Sequence, residues 1–145
     1  MNTPIPCRAF PGPPAGLQPS AEPLVDLGHL GEPRLRFAME YYRQGLPGAT
    51  PRCLLRRSAA RRLLQALERL PAGYGFLVFD AWRPIAVQQA LFDQYARRVR
   101  EELAGQAVSE EEVIERVRQF VSVPSYDPLH PSAHSTGGAV DLTIL

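Results

Sequence analysis

The sequence contains no lysine, and all sixteen of its basic residues are arginine. Such a bias is typical of a GC-rich genome, and we attach no function to it. Fifteen acidic residues almost balance the arginines and leave a formal net charge of +1. A chain without a strong excess of charge lacks the field that draws a protein to nucleic acid or to an acidic membrane surface. We therefore expect neither nucleic acid nor a membrane as a partner.

Cysteine is also scarce, because the sequence contains two cysteine residues, Cys7 and Cys53. Two cysteines in a chain of this length do not make a disulfide framework, and neither belongs to a C-x-x-C pair that would indicate a cysteine zinc site. No run of eighteen apolar residues is present, which excludes a membrane-spanning helix. The N-terminal residues lack the continuous apolar segment of a secretory signal. These absences predict a cytoplasmic protein with reduced thiols.

The remaining composition is typical of one soluble globular domain. Of the 145 residues, 45% are hydrophobic and 21% are charged, and a chain of this length buries a sizeable core. Residues 1–23 are dense in proline, which removes hydrogen-bond donors and blocks helix formation. We predict a proline-rich N-terminal arm over 1–23, either loosely attached or packed over the rest, and a folded domain over 24–145.

Apolar residues that recur at helical spacing predict three helices, over 58–70, 84–103 and 109–123. Ser58 is the expected N-cap of the first helix, and Pro84 is the expected first residue of the second. The third begins with an S-x-x-E capping box at Ser109.

Short apolar runs between turn residues predict strands, over 24–27, 75–80 and 139–145. Residues 33–50 fit a strand or an irregular segment followed by a turn. Together these elements predict an α+β fold, with a small antiparallel sheet and helices packed on one side of it.

The first motif that could carry chemistry is SAHSTGGAVD, which spans residues 132–141. Asp141 lies in an apolar strand, where aspartate is rare and where a buried carboxylate is costly unless it is paired or binds a metal. The Gly137-Gly138 turn lets His134 and Asp141 converge, and imidazole nitrogen with carboxylate oxygen suits Zn²⁺. The alternatives are a surface histidine and a simple ion pair between Asp141 and an arginine.

The second motif is DAWRP, residues 80–84, where a predicted strand meets a predicted helix. Strand-to-helix junctions often carry functional side chains. Arg83 can offer two parallel N–H donors to a carboxylate or to a developing oxyanion, and Asp80 can hold Arg83 in place. A purely structural Asp80–Arg83 pair explains the same pattern equally well.

The two motifs together, FDAWRP and then SAHSTGGAVDLT, resemble the VanX-type D-alanyl-D-alanine dipeptidases, which are zinc peptidases of cell-wall metabolism. The segment RFAMEYYRQGLPGATPRCLL also resembles the N-terminal half of that family, so the resemblance covers about residues 24–145. It implies a DD-peptidase or hedgehog-like fold and hydrolysis of the small dipeptide D-Ala-D-Ala.

The resemblance also implies roles for individual residues. His134 and Asp141 match the first two zinc ligands, and Arg83 matches the arginine that stabilises the tetrahedral intermediate. Ser132 matches a serine beside the substrate. Asp80 is expected to lie behind Arg83 and orient it.

One part of the family pattern is not found. The family supplies its catalytic base and third zinc ligand from a later Glu-x-x-His segment, whereas the printed sequence stops at Leu145. Two D-x-x-H segments, Asp26–His29 and Asp127–His130, have comparable spacing but stand at the wrong place in the order. From these residues we expect an incomplete dipeptidase domain with a weak two-ligand zinc site.

Three functions are compatible with this sequence. The chain is a D-Ala-D-Ala dipeptidase, or a non-catalytic binding or regulatory remnant of the family, or a D-alanyl carboxypeptidase of the same fold. The sequence leaves the oligomeric state open.

Overall fold

The computed structural model describes residues 21–145, so the predicted arm over 1–23 lies almost entirely outside the described residues. The five strands in this range are β1 (Leu24–Asp26), β2 (Leu35–Phe37), β3 (Leu54–Arg56), β4 (Phe76–Asp80) and β5 (Asp141–Ile144). The four α-helices are α1 (Glu40–Arg43), α2 (Arg57–Glu68), α3 (Ile85–Glu102) and α4 (Glu110–Arg118). Two 3-10 helices, Leu27–Leu30 and Ala133–Thr136, complete the regular structure.

The strands form two small sheets. β1 and β3 pair antiparallel, while β2, β4 and β5 form a three-stranded sheet with β4 in the centre. β2 runs parallel to β4, and β5 runs antiparallel to it. The chain between β2 and β4 includes two helices, which is the long crossover that a parallel pair requires.

The predicted α+β class is confirmed. The structure adds that the sheet carrying β5 is mixed, because the crossover between β2 and β4 makes that pair parallel. The short helix α1 was not predicted, since its four residues fall within a segment interpreted as strand or irregular chain. Among the described residues, no helix is both long enough and apolar enough to cross a membrane.

The helix starts show which local signals were reliable. Ser109 caps α4 in a complete capping box, as predicted, with reciprocal hydrogen bonds to Glu112. The prediction for Ser58 was wrong, because α2 begins at Arg57 and Ser58 lies inside its first turn. The Ser58 N–H donates instead to the Glu22 carboxylate, at 2.8 Å. Pro84 stands at the N-cap position of α3, one residue before the predicted place.

Two hydrophobic clusters stabilise the described chain. The first joins both sheets to α2, and its most buried members include Leu27, Leu55, Leu67 and Val78. The second joins α3 to α4 and includes Val87, Leu91, Val113 and Val117. The segment from Asp80 to Pro84 connects β4, in the first cluster, to α3, in the second. Packing of the elements before and after it, in two different clusters, therefore fixes the position of this segment.

Cys53 belongs to the first cluster and is buried. Burial raises the pKa of its thiol to about 12. Because the thiolate is the reactive form, we expect folded protein carrying Cys7→Ser to react with a disulfide reagent at pH 8 about a thousandfold more slowly than the unfolded chain. Absorbance of the released thiol measures both rates. Rates within tenfold of each other would contradict this burial.

Candidate metal and active site

Three segments of the chain meet at one end of the three-stranded sheet. Asp80 is the last residue of β4, and Asp141 is the first residue of β5. The register places Asp80 and Asp141 opposite each other, after an irregularity between Val78 and Asp80. His134 lies in the 3-10 helix that precedes β5, and its carbonyl accepts a hydrogen bond from the Arg83 N–H at 3.1 Å. Strand pairing therefore brings the two sequence motifs together.

Arg83 is buried, and neighbouring side chains fix its guanidinium group. Its Nε and Nη2 both approach Asp80 Oδ2, at 2.8 and 2.7 Å. Its Nη1 donates to Gln88 Oε1 at 2.5 Å. Its carbon Cζ lies 4.6 Å from the centre of the Tyr41 ring, in a cation–π contact. The structure thus contains the predicted Asp80–Arg83 pair and surrounds it with two further polar groups.

His134 presents its two ring nitrogens to different partners. Nδ1 lies 2.8 Å from the Ala81 carbonyl oxygen and 3.2 Å from Asp80 Oδ2. Since these oxygens only accept, Nδ1 carries a proton, and in the neutral ring Nε2 keeps its lone pair. Nε2 faces Asp141 Oδ2 at 3.5 Å. This tautomer is the one in which Nε2 can bind a metal ion, with Nδ1 oriented by a carbonyl.

Burial, hydrogen bonds and neighbouring charges shift the pKa values of the three titratable groups in this site. Burial acts to lower the pKa of His134, but its hydrogen bonds to Asp141 and Ala81 outweigh burial, and the pKa is raised. The hydrogen bond to His134 lowers the pKa of Asp141, and Arg83 adds to this effect. Burial raises the pKa of Asp80 against the opposing influence of Arg83. Asp141 is therefore the more readily ionised of the two carboxyl groups.

Asp80, His134 and Asp141 each offer a potential ligand atom, and these atoms lie within 4.8 Å of one another. Asp80 is the weakest member of this group as a ligand. Its Oδ2 already accepts from Arg83 and faces the protonated Nδ1 of His134, on the side of the ring away from Asp141. His134 Nε2 and Asp141 Oδ2 are therefore the atoms that could hold a metal ion most readily, while Asp80 contacts both His134 and Arg83.

A cavity of about 490 Å³ opens in front of these side chains. Its lining includes Arg83, His134 and Asp141, together with the aromatic residues Tyr95 and Phe120. The side chain of Asp141 is 52% exposed, so a bound ligand can reach it. This volume lies in the range of small-molecule sites.

Ser132 also lines the cavity and is buried. Its hydroxyl oxygen accepts a hydrogen bond from the Ser125 N–H at 3.2 Å, and its carbonyl accepts from Ser135. The five residues singled out from the sequence, which are Asp80, Arg83, Ser132, His134 and Asp141, are thus brought into one region.

The two D-x-x-H segments lie elsewhere. Asp127 and His130 pair with each other at 2.7 Å on the exposed surface. Asp26 pairs with Arg52 at 2.9 Å and caps the 3-10 helix that contains His29. Neither segment lines the cavity described above. We therefore assign neither of them to the site.

Sequence reasoning missed two residues that contact Arg83. Tyr41 lies in α1 and supplies the ring and a hydroxyl 3.4 Å from Arg83 Nη2. Gln88 lies in α3, is buried, and joins Arg83 to the Ser122 carbonyl. A signal for Gln88 was present, because it stands three residues before Leu91 on the buried face of α3, where a polar side chain requires partners.

Gly137 allows the loop that carries His134 to approach the β1–β3 pair. It has a φ of +76°, and a Cβ built there would lie 2.6 Å from Leu24 Cδ2. Its carbonyl accepts from the Arg56 N–H at 2.8 Å, and Arg56 Nε donates to the Thr136 carbonyl at 2.8 Å. The side chain of Arg56 also donates to the Glu22 carbonyl. Arg56 thus fixes the loop against β3.

Gly31 provides a matched control for Gly137, because both end a 3-10 helix in the left-handed conformation but Gly31 has nothing near the added Cβ. We expect Gly31→Ala to cost about 1 kcal/mol in the free energy of unfolding, from backbone strain alone. Gly137→Ala adds the clash with Leu24 and should cost about 1–3 kcal/mol more. Urea denaturation of both variants measures the difference, and equal losses would show that close approach at Gly137 is unimportant.

Comparisons with known proteins show to which family the chain is similar. A family model described as D-ala-D-ala dipeptidase, in the M15 peptidases, matches residues 41–145. A D-alanyl-D-alanine dipeptidase from Synechocystis sp. is 40% identical over 100 residues. That alignment covers 63% of this chain and 40% of the cyanobacterial protein.

Proposed function

Since the chain belongs to the D-Ala-D-Ala dipeptidase family of M15 peptidases, we propose that it acts in zinc-dependent hydrolysis of the dipeptide D-Ala-D-Ala. The observation that carries this proposal is the pair His134 Nε2 and Asp141 Oδ2, which face each other at 3.5 Å beside the cavity. We propose these two atoms as zinc ligands. The substrate would place the reaction in cell-wall precursor metabolism, and we propose the cytoplasm as its location.

Each residue around the pair has a proposed task. When bound, zinc supplies a Lewis acid for the scissile carbonyl. Arg83 is held with one Nη1 N–H on Gln88, and no acceptor among the described residues takes the second. That N–H is available to an oxyanion in the cavity, where a fixed donor stabilises developing charge. Ser132 borders the same space and is proposed to contact the substrate.

The number of protein ligands predicts how tightly the site binds zinc. Catalytic zinc sites use three protein ligands, and of the three candidate ligands among the described residues we propose His134 and Asp141, because Asp80 Oδ2 already accepts from Arg83. We therefore expect this 145-residue chain to bind zinc with a micromolar or weaker Kd. The curated relative is longer, and this chain spans 40% of its length.

Isothermal titration calorimetry with zinc tests the assignment of the site. His134→Ala should weaken zinc binding at least about tenfold, because it removes one of two ligands. His130→Ala is the matched control, since His130 is an exposed histidine paired with Asp127, away from the cavity. Equal losses in both variants would contradict the proposed site. A nanomolar Kd for the unmutated chain would contradict a two-ligand site.

Release of D-alanine from D-Ala-D-Ala tests the activity. We expect Arg83→Lys to lower kcat about 10²–10³-fold with little change in KM, because it removes a fixed donor that acts in the transition state. Arg98→Lys is the control, since Arg98 lines the same cavity but contacts the Tyr95 ring rather than Arg83, His134 or Asp141. Zinc binding without any D-alanine release would favour a binding module over a hydrolase.

A further inference from the structure

The side chain of Gln88 occupies an unusual position, because it is buried and uses both ends of its amide. Its Oε1 accepts from Arg83 Nη1 at 2.5 Å, and its Nε2 donates to the Ser122 carbonyl at 2.7 Å. The partners fix the orientation of the amide, since a guanidinium only donates and a carbonyl only accepts. Of the common side chains with this reach, glutamine alone serves both partners.

We propose that Gln88 is a positioning residue that aims Arg83 at the reacting group in the cavity. This inference rests on the proposed function of Arg83 and adds a residue to it. Gln88 itself need not touch the substrate, because it acts through Arg83.

The hydrogen-bond pattern of Arg83 supports this role. Asp80 holds Nε and Nη2, which fixes one edge of the guanidinium plane. Asp80 alone leaves Nη1 without an acceptor, and Gln88 supplies one. Because the guanidinium is planar, both Nη1 protons lie in its plane, and the hydrogen bond to Gln88 anchors that plane at an atom that Asp80 does not contact. Gln88 thus restricts rotation of the plane about the Asp80 contact and with it the direction of the remaining donor.

The second contact of Gln88 explains why its side chain stays in place beside Arg83. Ser122 follows Val121, which packs in the cluster of α3 and α4. The carbonyl of Ser122 thus follows directly on a packed residue, and it accepts from Gln88 Nε2. A buried hydrogen bond to Arg83 and a partly buried one to Ser122 connect the end of the α3–α4 cluster to the guanidinium of Arg83. A donor held in this way needs no reorganisation when charge develops beside it.

Substitutions at Gln88 separate the two contacts. Gln88→Glu keeps an oxygen for Arg83 but replaces the donor to Ser122 with a second acceptor, which repels the carbonyl. Gln88→Met keeps the length of the side chain and removes both hydrogen bonds. Gln94→Met is the matched control, because Gln94 lies on the same helix and lines the same cavity but makes no hydrogen bond to Arg83. Urea denaturation establishes that each variant folds.

The first readout needs no ligand, and so it is independent of the proposed function. Nuclear magnetic resonance follows hydrogen exchange at the guanidinium of Arg83 in the 145-residue chain. We expect Gln88→Met to accelerate this exchange at least about tenfold, with a smaller change in Gln88→Glu and none in Gln94→Met. Unchanged exchange in a folded Gln88→Met variant would overturn the inference.

The second readout distinguishes positioning from a general structural role. The zinc-loaded chain is titrated with D-Ala-D-Ala and with its phosphinate analogue, whose tetrahedral anion resembles the transition state. We expect Gln88→Met to weaken phosphinate binding about tenfold and to leave dipeptide binding within twofold. Equal weakening for both ligands would overturn the inference. Failure of the unmutated chain to bind either ligand would instead contradict the proposed function, while the exchange measurement would still decide the role of Gln88.

Discussion

The buried ion pair between Asp80 and Arg83 is the interaction on which the rest of the site depends. Removing two charges from water costs several kcal/mol for each ion, and the pair repays this cost only if further hydrogen bonds satisfy the remaining donors and acceptors. Tyr41 and Gln88 supply acceptors for Arg83, while His134 Nδ1 approaches Asp80. The groups that make this pair tolerable are the same groups that define the candidate site. The same contacts therefore stabilise the buried ion pair and arrange the side chains of the candidate site.

This pair also explains why the two sequence motifs function as one unit. Asp80 Oδ2 contacts the guanidinium of the first motif and the imidazole of the second. The backbone repeats the connection, because Arg83 donates its N–H to the carbonyl of His134. The pairing of β4 with β5 then places Asp141 opposite Asp80. The proposed metal ligands, His134 and Asp141, and the proposed oxyanion donor, Arg83, are thus positioned relative to each other by contacts with Asp80 and by strand pairing.

Local patterns predicted those parts of the structure that depend on local chemistry. The capping box at Ser109 and the apolar strand β4 were found because a few neighbouring residues determine them. Ser58 is not the N-cap that its residue type predicted, since Arg56 ends β3 and the chain enters α2 at the next residue. Its capping chemistry was overridden by strand pairing with β1, which is a long-range contact. The parallel pairing of β2 with β4 was hidden for the same reason.

The same distinction between local patterns and long-range contacts applies to the candidate site. His134, Asp141 and Arg83 were predicted as site residues because their motifs are compact and because a resemblance implied roles for them, and the structure brings the three side chains together. Gln88 and Tyr41 were missed, since each acts through a contact that only the packing of α3 and α1 against the sheet creates. The tautomer of His134 was also beyond sequence reasoning, because it depends on the Ala81 carbonyl, 53 positions away along the chain.

The side chain of Arg56 connects two segments that are far apart in the sequence. One arginine side chain holds the carbonyl of Thr136, next to the candidate metal loop, and the carbonyl of Glu22, just before β1. Its backbone N–H holds the same loop through Gly137. The segment that ends at Glu22 and the loop that carries His134 therefore share one guanidinium group, so removing this side chain would take a hydrogen bond from both.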